Sequence, residues 1–568
     1  MDLLEGGRPR DALPDHQGDR GGPERRAGDP DRVDLHRDGD HHRGRHPVLT
    51  AAKGPPRGPD VTPKVAWLLA ATFVVAVAGL IYELIAATIS SYLLGDSVRQ
   101  FSFVIGVFLT AMGVGAYVSR YVGDALSGFV RAQMALGVVG GALGPVLFFS
   151  YAWYGAVGLP LYGGLVVIGI LSGMEIPLIT RVMKEIGAAE FRFENVLTAD
   201  YVGALAASLA FPLLIIPNLS LMAASLAFGT LNLLVAGFSL WLFRDRLPAV
   251  YWAPWGVFLA AGLLALGGAE RLVGVVDARL FEDEVILSET TPYQSIVLTR
   301  FDDRYRLFLD HSIQFDSLDE HRYHEALVHP AMGLAPRVAD VLVLGGGDGM
   351  AVREVLRHPG VERVRLVDLD PRVTELFSQN PDLVALNAGA LTDPRVEIVN
   401  ADAWAFLAGD DGIYDVIIAD LPDPKSIALS KLYSIEFYAM MAERLSGAGI
   451  FVTQAGSPTF APGAFWTVEA TLAATRNPLA PGEGLGTLPY HVYVPSFGDW
   501  GFVLAAPMLP AEGRVPALPE GLRHLTPEVW AASRAFGPDQ GPREVEVNSI
   551  QGHPLVAEYE RGWGFWFR

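Results

Sequence analysis

The chain has 568 residues, 51% of them hydrophobic, no cysteine and a formal net charge of −20. This length exceeds one ordinary domain, the absence of thiols excludes disulfides and thiolate chemistry, and the charge argues against a nucleic-acid partner. An acidic surface is compatible with cationic substrates.

Residues 1–63 are rich in Gly, Pro, Asp, Arg and His and show neither a helical nor a strand period. That composition predicts a disordered tail; alternatively the natural start lies near KVAWLLAATFVV and the tail is mis-assigned. Apolar segments of spanning length, about 20 residues each, follow near 65–88, 101–118, 132–151, 155–180, 200–217, 219–243 and 251–268. The span 64–270 therefore reads as a multi-pass membrane domain of about seven helices in the lipid bilayer of the cell membrane. Arg120, Arg131, Arg181, Lys184, Arg192, Arg244 and Arg246 flank its connections. With seven spans, positive-inside reasoning places the C-terminal half outside, whereas its chemistry prefers the cytoplasm, so sidedness stays open. Glu83, Glu175 and Asp200 lie in or beside apolar segments. Such acids either serve a cation path or pair at an interface, for instance with Arg181.

Residues 271–335 read as a small antiparallel β unit of about three strands (271–318) and then a helix, DEHRYHEALVHPAMGL, with Asp319 near its start. From 336 to 568, apolar strands alternate with amphipathic helices, which predicts a parallel, doubly wound sheet. The fold class is thus a multi-span α-helical membrane domain, a small antiparallel β unit and a Rossmann-like α/β domain.

VLVLGGGDGMAVREVL is a strand, a glycine turn and a helix. Gly345, Gly346, Gly347 and Gly349 allow a tight turn and close approach of a ligand. The next strand ends in LVDLDP, where Asp368 is placed to hold ribose hydroxyls, and the next in NADAW, where Asp402 could accept from an adenine amino group. Asp348 inside the turn disfavours a phosphate-bearing ligand. It suits an adenosyl sulfonium, and a bare ammonium better than one beside a carboxylate, which favours decarboxylated S-adenosylmethionine. A fourth strand ends in IADLPDPKS, with Asp420 and Asp423 three residues apart.

Taken in order, YQSIV, LDHSIQF, DEHRYHEALVHPAM, VLVLGGGDGMAVREVL, LVDLDP, NADAWAFL, YDVIIADLPDP and VTQAGSP closely resemble the spermidine synthases, the polyamine aminopropyltransferases, over roughly 280–510. The apolar half looks like the multi-span extension of some bacterial members. The resemblance implies transfer of the aminopropyl group of decarboxylated S-adenosylmethionine to putrescine. It implies that Gln294, Asp348, Asp368 and Asp402, with Gly345 and Gly347, hold this co-substrate. Gln314, Tyr323, His324, Asp423 and Gln454 would surround the aminopropyl group and the amine, and Asp420 would be the catalytic acid. No metal is implied; a homo-oligomer is admitted. Two departures fall on the acceptor side: PKSIAL where the family has Pro-x-Gly-Pro-Ala, which puts Lys425 next to the acids, and Val494 where it commonly has Tyr. They leave open another amine as acceptor. A methyltransferase using the intact co-substrate and a non-catalytic polyamine transporter or sensor are the other readings.

Overall fold

The computed structural model describes residues 63–94, 97–186, 193–511 and 513–566. The expectations for the N-terminal tail, and Arg192, lie outside these residues. Helices α1 (Pro63–Leu94), α2 (Ser97–Val118), α3 (Ala125–Tyr154), α4 (Gly158–Glu185), α5 (Phe193–Ala210), α6 (Leu221–Leu242) and α7 (Trp252–Gly267) follow one another. With short flanking turns they form seven segments long and apolar enough to cross a membrane. The number expected from sequence is met, but most helices run past their apolar windows. Capping chemistry, not hydropathy, sets several ends. Asp124 and Ser220 accept backbone N–H bonds at the starts of α3 and α6, and Gly155 ends α3 in the left-handed region. The span expected at 200–217 begins instead at Phe193 and continues through a π turn, Phe211–Ile215.

Inside the bundle α3 and α6 approach closely, and Ser225 Oγ donates to the Gly140 carbonyl at 2.7 Å. Small residues at such crossings are typical of helices packed in lipid. Glu83 and Glu175 are buried, and Gln133 donates to Glu175. Pairing with Arg181, one of the alternatives for these acids, is not formed: Arg181 donates to the carbonyls of Ser119 and Gly123. The end of α1 and the start of α2 face the C-terminal half. The Tyr92 ring lies 4.4 Å from that of His311, and Arg99 lies 3.9 Å from Glu560.

The β unit starts later than the sequence suggested. Residues 269–280 are an eighth helix, α8 (Ala269–Leu280). Ala269, Leu272, Val276 and Leu280 recur at helical spacing, a signal masked by the apolar run before it. Four strands follow, β1 (Glu284–Thr290), β2 (Ser295–Phe301), β3 (Arg304–Leu309) and β4 (Ser312–Asp316), in a sequential antiparallel sheet. Helix α9 (Glu320–Leu334) leads into the second sheet.

That sheet contains β5 (Asp340–Gly345), β6 (Arg363–Asp368), β7 (Val396–Asn400), β8 (Tyr414–Asp420), β9 (Leu445–Gly456), β10 (Gly486–Val494) and β11 (Gly498–Ala506), in the order β10-β11-β9-β8-β5-β6-β7. The strands from β9 to β7 pair in parallel; β11 pairs antiparallel to both β9 and β10. The chain builds outward from β5 through β6 to β7, then returns to place β8 on the other side of β5. In sheets of this kind the ligand crevice lies at this reversal, beyond the carboxyl ends of the strands. Strands β5 and β8 are buried along nearly their whole length. Their apolar runs therefore do not alternate, as expected for strands covered on both faces.

Candidate active site

The crevice is built where β5 and β8 end in register, Gly345 opposite Asp420. Gly345, Gly346 and Gly349 have φ of 78°, 68° and 76°. At Gly347 a Cβ would lie 2.7 Å from the Asp368 carboxylate. Helix α10 (Met350–Leu356) begins immediately after this turn, and Asp348 accepts from Met350 N at 2.9 Å. Burial, opposed by His324 and reinforced by the charge of Asp420, pushes Asp348 up to about 6. Asp368 accepts from Gly347 N and Asp370 N. Burial, against those two bonds, also raises it to about 6.

Asp420 meets α9. Tyr323 donates to its Oδ1 at 2.7 Å, and His324 Nε2 lies 4.0 Å from its Oδ2. Burial raises the Asp420 carboxyl, while His324 and Tyr323 pull it back. Burial alone would discharge His324, yet its bond to Glu320 and that carboxylate's charge lift it to about 9. Glu320 is in turn held by Arg353 at 2.9 Å. Against burial, His324 and Arg353 take Glu320 down to about 2. A chain of alternating charges thus runs Arg353, Glu320, His324, Asp420.

The linkage of this chain to pH has a definite sign. Glu320 contributes stability that is present above 4.5 and lost as pH falls through about 2. His324 contributes stability that is present below 6.5 and lost as pH rises through about 9. Glu320→Gln removes the group that keeps His324 charged. Asp420 then loses its neighbouring cation, and the acidic limb of the pH–rate profile is expected to move upward. Rates measured from pH 5 to 9 test this; an unmoved limb refutes the link.

Asp423 lies three residues further on, in the loop after β8. Gln454 Nε2 donates to its Oδ1 at 3.2 Å and Tyr559 to its Oδ2 at 2.7 Å. Burial raises its carboxyl, while Tyr559, Gln454 and Lys425 lower it. Lys425 stands near the acids, as its position in sequence suggests, and its charge lowers Asp423, but it makes its hydrogen bond elsewhere. Its Nζ donates to Ser312 Oγ at 2.7 Å, tying the loop to the β3–β4 turn.

Tyr323, His324, Asp348, Asp368, Asp420, Asp423 and Gln454 therefore share the crevice with the glycine turn. Three further residues make structural contacts. Gln294 Nε2 donates to Asp370 Oδ2 at 3.1 Å, pinning the small sheet to the turn after β6. Asp402 caps the helix Ala403–Gly409 and pairs with Lys431 at 3.0 Å. Gln314 Nε2 donates to the Ser312 carbonyl at 3.1 Å. Glu320, Arg353 and Tyr559 were missed in the sequence. Only the Glu320 and His324 spacing, four apart on a helix, offered a local signal. No group of three or more His, Asp or Glu suited to a metal ion occurs among the described residues.

The Spermine/spermidine synthase domain matches residues 320–505. A polyamine aminopropyltransferase of Ralstonia nicotianae is 44% identical over 90% of this chain and 98% of its own. One from Leptospira interrogans is 40% identical over 87% of this chain and 98% of its own. A crystal structure of spermidine synthase from Thermotoga maritima covers 45% of this chain and 85% of its own, at 28% identity and a TM-score of 0.40.

Proposed function

Because the chain belongs to the polyamine aminopropyltransferase family and is an aminopropyltransferase, we propose that its donor is decarboxylated S-adenosylmethionine and its acceptor a diamine such as putrescine. The products are then spermidine and methylthioadenosine. The observation that carries this reading is electrostatic. Asp348, Asp368, Asp420 and Asp423 converge on one crevice, where the His324 ring lies 4.0 Å from Asp420 and its charge also lowers Asp348. Carboxylates held this close favour a ligand that brings positive charge. A sulfonium carrying an aminopropyl arm and a diammonium acceptor both do so.

In this reading the glycine turn and Asp368 take the adenosine, and Asp348 takes the terminal ammonium of the aminopropyl arm. An ammonium has no lone pair, so the attacking amine must first lose a proton. Asp420 accepts it as general base, its raised pKa and the Tyr323 bond suiting that task. The amine nitrogen then forms a bond to the propyl carbon. The carbon–sulfur bond breaks with its electron pair on sulfur, and neutral methylthioadenosine leaves. Asp423 holds the far ammonium and aligns the attack. In the same reading the membrane domain spans 64–268, α8 links it to the β unit and α9 (284–334), and 336–568 is the transferase domain.

A second acceptor deserves the same test, because Val494, buried at the end of β10, stands where the family commonly has Tyr. Purified protein with the decarboxylated co-substrate and a panel of amines is expected to release methylthioadenosine, fastest with putrescine. Release fastest with another amine changes the acceptor. Co-substrate binding without release for any amine rules the reading out.

A further inference from the structure

The C-terminal helix Pro554–Trp566 lies beyond the matched domain, yet it reaches the crevice. Its Tyr559 donates to Asp423 Oδ2 at 2.7 Å, across 136 residues of sequence. Gln454 donates to the other oxygen. Both donors are neutral, so neither cancels the carboxylate with an opposite charge, and burial raises the carboxyl. A carboxylate offers about four acceptor sites, so two remain for a ligand. Lys425, the nearest cation in sequence, is directed to Ser312 instead. Burial, with the charge of Asp423, holds the Tyr559 hydroxyl well above its ordinary value, so it stays a donor.

The helix is held firmly against the transferase domain. Leu555 is fully buried, and the Trp563 ring packs 5.1 Å from Phe460. At Gly562 a Cβ would lie 2.5 Å from Ala461 Cα and 2.8 Å from the Phe460 carbonyl oxygen. The position of Tyr559 is therefore set by a close backbone approach one turn further along.

We propose that Tyr559 is a positioning residue for the acceptor amine, fixing the Asp423 carboxylate while its helix closes the end of the amine site. The site then fits a short primary diamine whose second ammonium stops at Asp423, rather than a chain that continues beyond it. This rests on the reading above, in which Asp420 faces the attacking nitrogen and Asp423 the far one.

The test compares full-length wild type, Tyr559→Phe, Asp423→Asn, the double variant and Gly562→Ala, with decarboxylated S-adenosylmethionine and putrescine. Tyr559→Phe loses one bond to a charged acceptor, so the KM for putrescine is expected to rise about tenfold. Its kcat stays within about twofold and the co-substrate KM does not change. Gly562→Ala shifts the helix without touching the hydroxyl and raises the putrescine KM in the same way. In the Asp423→Asn background, Tyr559→Phe adds no further loss, because the tyrosine acts through that carboxylate. An unchanged putrescine KM in Tyr559→Phe, or a fully additive double variant, overturns the role of Tyr559 and leaves the aminopropyl reading standing. A wild type that releases methylthioadenosine with no amine overturns both.

Discussion

Asp420→Asn is expected to reduce kcat by about 10²–10⁴-fold, the usual contribution of a positioned general base. The amide is nearly isosteric and can still accept from Tyr323, whose bond at 2.7 Å holds the native carboxylate. It cannot take a proton from the attacking ammonium. Binding of the co-substrate should change little, since the proposed contacts to its adenosine and arm come from the glycine turn, Asp348 and Asp368. Methylthioadenosine release under saturating amine measures the first effect, and calorimetric titration of the co-substrate the second. Turnover near the wild-type rate would remove Asp420 from the reaction. A loss confined to co-substrate affinity would reassign it to binding.

Gly345→Ala tests the other half of the crevice, the turn that brings β5 against β8. The Cβ would lie 2.0 Å from the Asp420 carbonyl oxygen, and the backbone there has φ of 78°. The left-handed conformation alone costs an L-residue about 1–2 kcal/mol. The clash is with backbone, which cannot rotate away, so strand ends must separate. A total loss of about 2–4 kcal/mol is expected, together with a fall in turnover of more than about 100-fold as Asp420 is displaced. Gly389→Ala is the comparison. Its φ of 71° is similar, but its nearest neighbour is Thr392 Oγ1 at 3.6 Å, so only the conformational cost of about 1 kcal/mol applies. Denaturant melts of both variants separate the two contributions. Equal melts would show that the approach of Gly345 to Asp420 is relaxed in solution.

Much of this arrangement was legible before any fold was known. Apolar windows of spanning length located the seven long helices, because hydropathy is a property of the residues themselves. Strand ends at Gly345, Asp368 and Asp420 could be read, because buried parallel strands are continuous apolar runs that stop where polar residues begin. The family motifs added roles to Tyr323, His324, Asp348 and Gln454, and the structure brings these four into the crevice. Helix α8 was missed because twelve residues of amphipathic pattern beside a long apolar run leave little signal. The helix ends were misjudged because they depend on single caps such as Asp124 and Gly155.

The contacts that tune the carboxylates belong to the tertiary structure. Lys425 stands two residues from Asp423, yet it turns to Ser312 across the β3–β4 turn. Tyr559 stands 136 residues away, yet it holds one oxygen of Asp423. Glu320 and Arg353, on different helices, decide whether His324 carries charge beside Asp420. Composition, hydropathy and motif order act along the chain, so the sequence by itself determined the membrane-like helices, the doubly wound sheet and the acidic strand ends. Hydrogen-bond partners, burial and charge act through space, so only the tertiary structure decided which neighbours set the protonation and orientation of those acids.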